Sequence, residues 1–125
     1  MKLEFLPDGS PDCPLIRLYE FDRPEAWRLR EIVNRLASGS HQTIALHEEK
    51  WVAPLGGCKL DLCLAAEDLG VLQTAPLTFQ CALTADRWFD VACLVQPFSE
   101  TDQSGFQWLN EDGKISLLLS RDGKW

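Results

Sequence analysis

A chain of 125 residues with 46% apolar and 25% charged side chains has the size and composition of one globular domain, which excludes wholesale disorder. The formal net charge is −7, and between Asp61 and Asp112 nine carboxylates face only Arg87. Such a field repels phosphate and anionic lipid, so neither nucleic acid nor a membrane surface is an expected partner.

The opening segment Lys2–Leu6 alternates, with Leu3 and Phe5 on one side, and predicts a strand. Pro7-Asp-Gly-Ser-Pro-Asp12 is dense in turn residues and leads to a second strand, Leu15–Phe21. The most regular element then follows, an amphipathic helix over 24–38. Ala26, Leu29, Ile32, Val33, Leu36 and Ala37 share one arc of its wheel. Asp22 and Glu25 have the spacing of a capping box, Pro24 suits the first turn, and Gly39 suits the stop.

Beyond the helix the pattern turns to period two. Thr43–Trp51 is expected as a strand, Val52–Gly57 as a connection, and Cys58–Leu64 as a further strand. Residues 77–84 alternate most cleanly. Ala85-Asp-Arg87 is short enough for a hairpin, with Phe89, Val91, Cys93 and Val95 continuing the inward face until Pro97. Phe106–Leu109 and Lys114–Ser120 flank the turn Asn110–Gly113. No linker and no domain-length repeat is visible. The sum is a single α+β domain, 1–125, with one helix packed on a curved antiparallel sheet of roughly seven or eight strands, either open or half-barrel.

Chemical motifs are sparse. The cysteines 13, 58, 63, 81 and 93 are odd in number and contain no CxxC pair. Cys58 and Cys63 would point to opposite faces of one strand, and Cys81 and Cys93 would point into the core of a hairpin. With no apolar leader and no run of roughly 18 apolar residues, free thiols in a cytoplasmic protein are expected. Neither a metal site nor a cofactor is expected, because close Cys/His pairs, GxGxxG and GxxxxGK are all missing. GxSxG and HExxH are missing too.

What remains is aromatic surface. Trp27 falls on the polar side of the helix with Arg30, Glu31 and Asn34, which marks these four as a candidate interface unless a loop, 51–57 or 97–105, covers the indole. Arg23, Arg28, Arg30 and Arg35 make the helix basic on an otherwise acidic chain. The leading expectation is therefore a small protein-interaction domain without catalysis of its own, pairing with itself or with another protein. The alternative is a small-molecule or minor enzymatic cleft near Asp86, Arg87, Trp88 and His47.

Overall fold

In the computed structural model, which describes residues 1–125, the expected helix spans Arg23–Ala37 (α1). The Asp22 carboxylate accepts from the Glu25 N–H at 2.9 Å, and the Glu25 carboxylate accepts from the Asp22 N–H at 3.2 Å. Two donors of the first turn are thus satisfied reciprocally. Gly39, just past the end, has φ of +79°, a left-handed conformation that glycine adopts without a Cβ clash.

Strands β1 (Lys2–Leu6) and β2 (Leu15–Tyr19) precede this helix. After it come β3 (Thr43–Ala45), β4 (Ala53–Pro54) and β5 (Lys59–Leu64). Strands β6 (Gly70–Ala75) and β7 (Thr78–Leu83) lead into a second helix, α2 (Ala85–Glu100), and β8 (Phe106–Asn110) and β9 (Ser116–Ser120) complete the chain. The expected strand over 43–51 is cut to its first three residues and continues as a 3₁₀ turn, Leu46–Glu48.

The largest correction is α2, where the sequence suggested a hairpin and an inward-facing strand. Trp88, Val91, Ala92, Val95 and Phe98 are the buried residues, and their spacing of three and four is that of a helix. Phe89 and Cys93, which a strand would have turned inward, are exposed. Thr84 starts the helix, its hydroxyl accepting from the Arg87 N–H at 3.3 Å. Pro97 lies within the helix instead of ending a strand.

A second correction concerns the sheet. There are two mixed sheets, β4-β1-β2-β9-β8 and β3-β5-β7-β6, not one antiparallel sheet. Short links favour antiparallel pairing only between sequence neighbours. Here β2 lies parallel to β9, Leu15 opposite Ser116, and β5 lies parallel to β7, Lys59 opposite Thr78. These pairings follow a rule. The chain divides into β1-β2-α1-β3-β5 and β6-β7-α2-β8-β9, and each sheet joins the first hairpin of one half to the last two strands of the other. An approximate two-fold relation follows, with β4 added beyond β1.

The two helices pack side by side. Phe21, just before α1, meets Phe98 near the end of α2 with ring centroids 5.8 Å apart, and Arg23 reaches Asp102 at 3.1 Å. The start of one helix thus adjoins the end of the other, so they are antiparallel. Their inner residues join those of both sheets in one core, where the Phe5 and Phe79 rings bring the sheets together at 4.6 Å. A single bridge, Val71 to Ile115, ties the sheets at their edge. Leu118, on the other face of its sheet, is also buried. Arg17 and Trp108 flank it in register. The tail turns back over this side, Gly123 accepting from Arg17 Nη1 at 2.8 Å and Trp125 donating to Asp12 at 2.9 Å.

Candidate interaction surface

The outward face of α1 begins with Trp27. Its indole is 52% exposed, although Trp51 approaches it from the loop after the 3₁₀ turn. Together with Arg28, Glu31, Arg35 and Glu49 these two indoles line a shallow recess of about 130 Å³. Neither the 51–57 loop nor the 97–105 loop closes over Trp27. Arg30 and Glu31 lie half-buried within about one turn of it on the same helix, and Asn34, also half-buried, about two turns on.

The approximate two-fold gives this face a counterpart. Counted from the helix caps Asp22 and Thr84, Trp27 and Phe89 occupy the same position, five residues on. Phe89 is 60% exposed. Arg28 corresponds to Asp90, and Glu31 to Cys93, the one exposed cysteine. Each helix thus turns one large aromatic side chain outward, where surface helices ordinarily carry polar residues.

The charges differ in sign. The α1 segment carries four arginines against two glutamates. The α2 segment carries Asp86, Asp90 and Glu100 against Arg87, and Arg87 is engaged by Asp112 at 2.8 Å and by Asp68 at 4.0 Å. A basic strip therefore runs antiparallel beside an acidic one.

The four residues of the alternative cleft are not brought to one site. Asp86 is exposed in the first turn of α2, whereas Trp88 is fully buried with its Nε1–H donating to the Cys63 carbonyl at 2.9 Å. His47 sits on the 3₁₀ turn, where its Nδ1 accepts from the Leu60 N–H at 3.0 Å. It takes over the edge of β5 where β3 has ended, which is a backbone role. Only Arg87 borders a sizeable recess, about 460 Å³ between α2 and β8, shared with Asp90, Leu94, Trp108, Asn110 and Asp112. Its cation is already paired there.

No group of three or more His, Cys, Asp or Glu side chains converges. Burial pushes the Cys58 thiol up to about 11 and Cys81 to about 12, so these thiols stay protonated and inert. Asp68 is held below the usual carboxylate range, mainly because it accepts from the Thr84 N–H at 2.8 Å, and its Thr84 hydroxyl bond at 2.9 Å helps to brace the start of α2.

The sequence-level reading missed Phe89 and Cys93. The signal was available in the spacing of Trp88, Val91, Ala92 and Val95 behind Thr84, a capping residue before an amphipathic run. Comparison with family models, curated proteins and solved structures finds no match in any of the three.

Proposed function

We propose that this chain is a protein-interaction domain that self-associates through its two-helix layer and has no catalytic role of its own. The observation that carries the reading is the exposure of Trp27 and Phe89 at equivalent positions of α1 and α2. Exposed indole and phenyl rings among polar neighbours are the side chains that anchor interfaces. One such ring on a surface is unremarkable. Two, placed alike on adjacent helices of opposite charge, form a docking face. The recess at Trp27 is too shallow to enclose a drug-sized ligand, and the one cation of the recess between α2 and β8, Arg87, already pairs with Asp112.

Trp27→Ala tests the reading. The residue makes none of the side-chain hydrogen bonds of the fold, so circular dichroism and cooperative unfolding should persist. Light scattering behind size exclusion should show self-association weakened on the order of 100-fold, the scale of an interface anchor. Unaltered association, or wild-type protein that stays monomeric at about 100 μM, a loading that reveals contacts of micromolar affinity, would overturn the proposal.

A further inference from the structure

We infer that the partner is a second copy of this chain, docked so that α1 of each protomer lies on α2 of the other; the inference rests on the self-association reading above. Charge decides between the two simple ways of stacking one helical layer on its copy. With the two-fold axis across the helices, α1 covers α1 and α2 covers α2, setting arginines against arginines and carboxylates against carboxylates. With the axis along the helices, the basic α1 of each protomer covers the acidic α2 of the other, twice over. Like charges held face to face penalise the first arrangement, and complementary potentials favour the second.

Residue positions follow from the antiparallel packing. The contact between Arg23 and Asp102 fixes which ends adjoin. An axis along the helices keeps each residue at its own height. The Arg35 end of the incoming α1 therefore meets the Asp90 end of α2, and the Arg28 end meets the last turn of α2, which carries Glu100. All four side chains belong to exposed residues. Trp27 is carried onto the C-terminal half of the facing α2, and Phe89 onto the C-terminal half of the facing α1. Each aromatic ring thereby leaves water.

The size of the layer sets the strength. A helix of 15 residues is about 22 Å long. Two helices spaced at about 9 Å make a face about 20 Å wide, roughly 450 Å² in projection per protomer, which belongs with the smaller, reversible interfaces. Micromolar dimerisation is expected.

Two charge-reversed proteins test the pairing. One carries Arg28→Glu and Arg35→Glu, the other Asp90→Lys and Glu100→Lys. Each alone has both helices of one sign, and sedimentation equilibrium should show its self-association weakened at least tenfold. Mixed one to one, the two proteins should form a heterodimer as tight as the wild-type dimer, because each reversed helix then meets its opposite. Circular dichroism of each protein confirms folding, and the rescue itself excludes misfolding as the cause. Full self-association of either variant alone, or failure of the mixture to associate, would overturn the pairing while the wild-type dimer stood. Tighter binding of the arginine-reversed protein to wild type than wild type shows to itself would assign α1 to α1 instead. A wild-type monomer would remove the underlying reading.

Discussion

Replacing Arg121 by methionine measures how the end of α2 is held. This helix has no basic residue in its last turn, so its terminal carbonyls lack a local cationic partner. Arg121, just after β9, supplies one from across the chain. Its Nη2–H groups donate to the Phe98 carbonyl at 2.9 Å and the Thr101 carbonyl at 2.7 Å. Its Nε–H donates to Gln103 at 3.1 Å and its Nη1–H to the Phe21 carbonyl at 3.3 Å. The guanidinium also lies 4.9 Å from the Phe21 ring and 5.8 Å from that of Phe98. Water replaces the bonds to Thr101 and Gln103, which are exposed. The bonds to Phe98 and Phe21 are partly buried, and at about 1.5 kcal/mol each for a charged donor they set the loss near 3 kcal/mol.

For 125 residues, an unfolding entropy of about 2.1 cal/mol/K per residue converts that loss into a midpoint roughly 11 °C lower. Methionine keeps much of the aliphatic stem, so the change isolates the guanidinium. Arg121→Lys should recover less than half, because an ammonium lacks the planar fork that reaches several carbonyls at once. Thermal unfolding followed by circular dichroism is the assay. A methionine variant within about 2 °C of wild type, well under 1 kcal/mol on the same conversion, would refute the reasoning.

Other outcomes follow from single groups. Trp88→Phe removes the indole N–H bond to the Cys63 carbonyl and should cost about 1 kcal/mol in urea unfolding; an unchanged midpoint would contradict the role given to that bond. Asp68 has a folded pKa below its unfolded value, so its contribution is complete above about pH 4 and is lost as the pH falls through the folded value. Asp68→Asn should therefore flatten the acid limb of the stability profile below about pH 4, and an equally steep limb would count against it. Mass-resolved alkylation at about pH 8, below the ordinary cysteine pKa, should label the exposed Cys93 first and Cys58 and Cys81 only after unfolding; early modification of either buried thiol would contradict the packing of β5 and β7.

The two helices differ in how openly their sequences declare them. α1 was legible because every local signal agreed: Asp22 and Glu25 cap it, Gly39 ends it, and its apolar stripe is unbroken. In α2 the aromatic and β-branched residues fit a strand as readily as a helix. Phe89 and Cys93 fell in step with Val91 and Val95 and imitated a period of two. Individual strands such as β7 were legible from alternation, but their partners were not. Parallel pairing of β2 with β9 joins residues about a hundred positions apart, and nothing in either strand encodes that choice. Strand β6 was overlooked because Leu72, Gln73 and Thr74 are exposed at the edge of their sheet and carry no apolar alternation. Of the surface, the Trp27 half was legible from the helical wheel. Phe89 became visible only once α2 was a helix, and its equivalence with Trp27 only once the two halves were seen to match.

Sedimentation equilibrium of the wild-type protein across a hundredfold range of concentration, from about 1 to about 100 μM, tests the central claim most directly, since these loadings span micromolar affinity. The weight-average mass should rise from the 14.1 kDa of one chain toward twice that value and fit a monomer–dimer equilibrium. A mass that stays at 14.1 kDa across the whole range would contradict it.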